Sequence, residues 1–197
     1  AFLLTNSAWI SIALFGSLPF LLSDIDMSFI DAFFESTSGI TTTGATVIEN
    51  LEAKSHGILI WRALLQWLGG VGIIVMALAV LPMLSIGGMQ LFKTESYETP
   101  DKVVPKAASF AAGISIVYIT LTVIWALMLW GAGMPIFDSI AHAMTTLATG
   151  GYSTKSESLA AFNSSTIEII IIFGMLVGSL PFVHYLALTR NGIKNLI

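Results

Sequence analysis

"STSGITTTGATV", residues 36–47, crowds hydroxyl side chains around Gly39 and Gly44 and contains nothing that ionises. It stands in a chain that is 55% hydrophobic and 10% charged, with a mean hydropathy of +0.87. Such values belong to membrane proteins rather than to soluble domains. Thr and Gly are common in ordinary external turns, and they also suit irregular backbone held inside a membrane. The flanking sequence has to choose between these readings.

Four apolar segments, 2–22, 58–84, 107–130 and 167–188, hold 21, 27, 24 and 22 residues. At a rise of about 1.5 Å per residue, each can cross a hydrocarbon layer of roughly 30 Å. Arg62 and Glu168 are the charged residues within them, and both lie near a segment end. Arg62 is expected to snorkel to the interface or to pair with an outer-loop acid. Trp61, Trp67, Trp125 and Trp130 also favour segment ends, as an interfacial belt would. Lys93, Lys102, Lys106, Arg190 and Lys194 lie in connection 85–106 and the tail. Loops 23–57 and 131–166 are acidic and hold only Lys54 and Lys155 as basic residues. The positive-inside tendency therefore puts connection 85–106 and both chain ends in the cytoplasm and the acidic loops outside. With no cysteine there is neither a disulfide nor a thiolate metal site, and no basic run suggests a nucleic acid. Membrane lipid is the expected surrounding.

The two acidic loops are 35 and 36 residues long, which prompts a search for repeats. A shift of 107 residues places Asp31 on Asp138, Glu35 on His142, Thr42 on Thr149, Gly44 on Gly151 and Thr46 on Ser153. Each unit then reads as helix, short helix opened by an acidic residue, Thr/Gly segment, helix. Two crossings per unit give both copies the same orientation, so they are parallel repeats related by an axis along the membrane normal. The short helices, "FIDAFFESTS" at 29–38 and "FDSIAHAMTT" at 137–146, are too short to span and read as re-entrant. Ser28 and Asp31 form a capping-box-like start, Pro135 and Asp138 open the second helix, and Gly39 is expected to end the first. Asp31 and Asp138 read as caps rather than ion ligands, and Glu35 as a structural carboxylate. A proton relay at His142 or His184 is not expected. Gly69, Gly70 and Gly72, and the pair Gly174 and Gly178, read as close helix packing. Pro82 and Pro181 are candidate kinks.

Irregular backbone at membrane depth must be buried in protein or line a water-filled path. Backbone carbonyls can replace the water shell of a monovalent cation, and glycine allows the angles that aim them. Carboxylates would hold such an ion too tightly or favour divalent ions. An uncharged Thr/Gly segment beneath acidic outer loops therefore suits cation conduction.

"TTTGATV" at 41–47 and "ATGGYST" at 148–154, each inside a helix–loop–helix unit, resemble the Trk/Ktr/HKT superfamily of potassium transporters. "WRALLQWLGGVGIIVMALAVLP" at 61–82 resembles the helix after that family's first loop. The likeness covers the whole chain and is strongest to the membrane subunit of bacterial Trk systems. It implies an all-α membrane protein made of two parallel helix–re-entrant pore loop–helix repeats, half of a pseudo-four-fold pore in the bacterial inner membrane. The implied divisions are 1–84, a cytoplasmic connection 85–106, 107–189, and a linker beginning at 190–197. The family's filter is lined by backbone carbonyls, here at Thr42, Thr43, Gly44 and Ala45 and at Thr149, Gly150, Gly151 and Tyr152, with potassium as the ion. The resemblance implies no cofactor and no enzymatic activity. Its expected partners are a second copy of the full-length protein and a cytoplasmic nucleotide-binding subunit of the TrkA type. Two loops cannot close a four-sided filter, so the chain is expected to be part of a longer protein or to pair with another copy. The alternative is a secondary transporter working by alternating access, though the inverted repeats or mid-membrane charges usual there are missing from the pattern.

Overall fold

The computed structural model describes residues 2–80, 103–182 and 185. Residues 81–102, Pro82, His184 and the tail from 186 onward lie outside the described residues, and with them Lys93, Lys102, Arg190 and Lys194. Every regular element described is a helix: α1 (Phe2–Leu21), α2 (Phe29–Ile40), a 3-10 turn (Leu51–Ala53), α3 (His56–Val80), α4 (Val103–Gly131), α5 (Ile136–Leu147), a second 3-10 turn (Ser158–Phe162) and α6 (Ser165–Ser179).

Two boundaries differ from expectation. Helix α4 starts at Val103, inside the expected connection, and Pro105 falls in its first turn, where a missing N–H breaks no helical bond. Helix α6 ends at Ser179, well short of 188, because Leu180 is held extended (φ −74°, ψ 143°) ahead of Pro181. The candidate kink at Pro181 is a break, with Phe182 helical again beyond it. Among the described residues, Ala111–Gly131 is long and apolar enough to cross a membrane. Asn6–Leu21 and Ser165–Ser179 are shorter apolar helices.

The short helices α2 and α5 share one termination device. In α2 the Thr43 amide donates to Ser38 O (2.9 Å) and the Thr42 amide to Gly39 O (3.0 Å). In α5 the Gly150 amide donates to Thr145 O (2.9 Å) and the Thr149 amide to Thr146 O (3.0 Å). Both are Schellman motifs, which require a left-handed residue just past the cap. That residue is Thr42 in one and Thr149 in the other, each at φ 55°. Gly39 thus lies inside α2 and does not end it; it is glycine because a Cβ there would press on the Leu65 side chain. A β-branched residue in the left-handed region costs about 1–3 kcal/mol. Thr42→Gly is therefore expected to raise stability by about 1 kcal/mol, read as a higher unfolding midpoint in detergent; an unchanged midpoint would show no strain there.

Contacts divide the molecule into residues 1–70 with 120–180, and 71–119 with 181–197. In the first unit, Phe20, Ala32, Ile48, Leu51, Ile58, Leu59 and Leu65 form the buried cluster under α2. Ala63, Ala141 and Met144 form a second cluster between α3 and α5. Glycines let the long helices approach the short ones. A Cβ on Gly69 of α3 would run into the Ile40 carbonyl, and one on Gly178 of α6 into the Leu147 carbonyl. Ile40 and Leu147 are the last residues of α2 and α5 and lie 107 residues apart. A Cβ on Gly174 would meet the Trp125 and Thr146 side chains, whereas one on Gly72 would meet nothing within 4 Å among the described residues. Three tryptophans expected in an interfacial belt use their indole N–H in packing instead: Trp61 donates to Gly16 O (2.9 Å), Trp67 to Thr122 Oγ1 (3.0 Å) and Trp125 to Ile170 O (3.0 Å). Only Trp130 of that group stays exposed, because a buried acceptor outcompetes the interface for an indole donor. In the second unit, Ile114 and Tyr118 are fully buried, and Tyr118 meets Phe182 edge-on at 5.4 Å.

Candidate ion-filter site

The two Thr/Gly loops follow the ends of α2 and α5 and repeat each other atom for atom in several places. Gly44 and Gly151 both have positive φ, 80° and 83°, which glycine alone adopts without strain. Glu35 of α2 accepts from the Thr46 hydroxyl (2.9 Å), and His142 of α5 meets the Ser153 hydroxyl (2.9 Å), the same pair of positions in each unit. The Ile48 amide donates back to Thr46 Oγ1 and the Lys155 amide to Ser153 Oγ. His142 Nδ1 faces the Asp138 carbonyl (2.7 Å), an acceptor only, so Nδ1 carries the proton. In the neutral ring Nε2 then accepts from Ser153.

Among the described residues, nothing donates a hydrogen bond to the carbonyls of Thr42, Thr43, Gly44, Thr149, Gly150 or Gly151. Ala45 departs from this pattern. Its carbonyl accepts from Ser38 Oγ (2.6 Å) and from the Tyr152 hydroxyl (3.2 Å), so it faces into the protein. The loops meet each other, since a Cβ on Gly44 would strike the Gly150 carbonyl. Thr149 and Gly151 are exposed, whereas Gly150 and Tyr152 are buried. A cavity of about 380 Å³ runs along the second loop, lined in part by His142, Thr146, Thr149, Gly151 and Met175.

What holds the loops was partly hidden in the sequence. Arg62 does not snorkel: it is 1% exposed, and its Nε donates to Glu35 Oε1 at 2.7 Å, so the outer-loop acid is its partner. Its Nη1 donates to the Ser153 carbonyl (3.0 Å), and its guanidinium lies 4.1 Å over the Tyr152 ring. Gln66, one turn further along α3 and fully buried, accepts from the Tyr152 amide at 3.0 Å. Arg62 Nη2 and Gln66 Nε2 are buried donors with no partner among the described residues. The signal available in sequence was the polar pair Arg62 and Gln66, four apart on one face of an otherwise apolar segment.

The two acidic openers diverge. Ser28 accepts from the Asp31 amide (3.2 Å) and donates to its carboxylate (2.7 Å), as a cap. The Asp138 carboxylate instead accepts from the Thr154 hydroxyl (2.6 Å), with Lys155 Nζ 4.0 Å away. It thus ties the second loop down. Above the loops, Glu52 accepts from the Ser156 hydroxyl (2.7 Å) and amide (2.8 Å), bonds that hold its carboxyl below the usual carboxylate range.

The family model for TrkH, described as a cation transport protein, matches residues 1–197. The chain is 43% identical over 197 residues to the Trk system potassium uptake protein TrkH of Salmonella typhimurium, covering 98% of this chain and 41% of that protein. It is 42% identical over 192 residues to the Trk system potassium uptake protein TrkI of Halomonas elongata, covering 96% of this chain and 39% of that one. The crystal structure of the potassium transporter TrkH from Vibrio parahaemolyticus superposes with a TM-score of 0.84 at 41% identity, over 97% of this chain and 38% of that chain. The chain thus spans about two fifths of the length of these relatives.

Proposed function

The chain belongs to the TrkH family of cation transport proteins, and from that premise we propose that it supplies two of the loops of a potassium-conducting pore. Dehydrated potassium passes along the carbonyls of Thr42, Thr43 and Gly44 and of Thr149, Gly150, Gly151 and Tyr152, with the Tyr152 side chain as the anchor of the second loop. One observation carries this reading. Six loop carbonyls around two positive-φ glycines have no donor among the described residues, and carbonyls in that condition can replace a cation's water shell. The names of the relatives, potassium uptake proteins, supply the ion. In this reading residues 1–84 and 107–189 are two parallel helix–pore loop–helix repeats joined by cytoplasmic residues 85–106, with 190–197 opening a cytoplasmic linker. The full-length protein sits in the bacterial inner membrane with its pore loops outside. It works as a homodimer with a cytoplasmic nucleotide-binding subunit of the TrkA type. Its task is transport rather than catalysis.

Gly44→Ser and Gly151→Ser in the full-length protein, reconstituted in liposomes, test the filter. A serine at either position opposes its φ by about 1–2 kcal/mol. At Gly151 the new Cβ meets nothing within 4 Å among the described residues, so the backbone angle is what the substitution perturbs there. Uptake of rubidium, as a potassium surrogate, is expected to lose its preference over sodium in both variants. Unchanged preference in both would sink the filter assignment.

A further inference from the structure

We propose that Arg62 is a positioning residue for ion discrimination: through Glu35 on one side and Ser153 and Tyr152 on the other, it sets the placement of both filter loops at once. The proposal rests on the filter reading above and assigns it a support outside the loops themselves.

The loops are hung from this pair at equivalent points. Just after Gly44 and Ala45, the Thr46 hydroxyl and the Val47 amide donate to the Glu35 carboxylate (2.9 and 3.0 Å). Just after Gly151, the Tyr152 amide is held by Gln66 and the Ser153 carbonyl by Arg62. Thr46 and Ser153 correspond under the 107-residue shift, so the same step of each loop is fixed. The Tyr152 hydroxyl, donating toward the carbonyls of Glu35 (2.9 Å) and Ala45 (3.2 Å), closes the circuit from the second loop back to the first. Glu35, Arg62 and Gln66 are each 1% exposed or less, so the side chains that hold the loops are shielded from water. Arg suits the post because one planar fork can bond a carboxylate and a carbonyl while stacking on an aromatic ring. A lysine at this position could not do all three.

A carbonyl array discriminates between ions only while its spacing is held, and a misplacement of about 1 Å in a preorganised site can cost on the order of 100-fold. The test uses the full-length protein in liposomes, with rubidium and sodium uptake measured separately and the folded fraction determined by size-exclusion chromatography. The variants are Arg62→Lys and the paired replacement Glu35→Leu with Arg62→Met, which keeps the site filled and uncharged. Both are expected to lower the rubidium-to-sodium ratio by about tenfold per folded molecule. A lower yield with an unaltered ratio would mean that Arg62 only stabilises the fold, and would overturn the proposal. Should neither variant fold, Tyr152→Phe carries the test, since it removes only the hydroxyl that joins the loops; an unaltered ratio there overturns the proposal as well. Gly151→Ser separates the two levels. If it shifts the ratio and the Arg62 variants do not, the filter reading stands and this inference falls.

Discussion

Replacing Glu35 by alanine is expected to cost the full-length protein about 3–5 kcal/mol of stability, the range for removing one partner of a buried ion pair. Glu35 is fully buried and accepts from Arg62 Nε, the Thr46 hydroxyl and the Val47 amide. With the carboxylate gone, the guanidinium stays buried without its counter-charge, and Nη2 already lacks an acceptor among the described residues. The Val47 amide and the Thr46 hydroxyl lose their acceptor too. Glu35→Leu combined with Arg62→Met is expected to recover most of the loss, because two matched apolar groups pay no charge desolvation. The measurement is chemical unfolding in detergent. A Glu35→Ala midpoint equal to wild type would show that the pair holds no charge that the fold has to compensate.

The second large effect is expected at Gly69. A leucine there places a Cβ against the carbonyl oxygen, carbonyl carbon and Cα of Ile40. These are backbone atoms at the end of α2 and cannot rotate away, so α3 has to shift. Overpacking usually costs about 1–3 kcal/mol and occasionally more, and rigid backbone on the receiving side puts Gly69→Leu at the top of that range. Gly72→Leu is the matched control, since nothing among the described residues lies within 4 Å of its Cβ. In a helix that substitution also gains about 0.8–1 kcal/mol of propensity. The expected result is a large drop in unfolding midpoint and folded yield for Gly69→Leu and none for Gly72→Leu. Equal behaviour of the two would mean that α3 does not depend on close approach to Ile40.

The strain at Thr42 and Thr149 explains why part of the loops could not be read in advance. Propensity argues against a β-branched residue in the left-handed region, so a sequence reader assigns the end of α2 to Gly39 instead. The helix end overrides propensity, because the αL residue lets two carbonyls of the last turn find donors. At Pro181 the sequence suggested a kink and the helix breaks instead, since a residue before proline is pushed out of the helical region.

By itself the sequence determined what is local or periodic in this protein. Apolar segment length sets the helices, and the 107-residue period pairs Gly44 with Gly151 and Thr42 with Thr149. Gly44 and Gly151 mark one place in each loop where the backbone turns to positive φ. The tertiary structure alone decided which polar groups meet. Arg62 found Glu35 rather than the interface, Gln66 found the Tyr152 amide, and the Ala45 carbonyl turned inward to Ser38 and Tyr152. These partners lie 7 to 107 residues apart in the chain, and the residue pattern does not say which of them will meet. Inside an apolar protein a buried donor or acceptor has to be satisfied by whatever the fold brings near it, and that is settled only once the helices have packed.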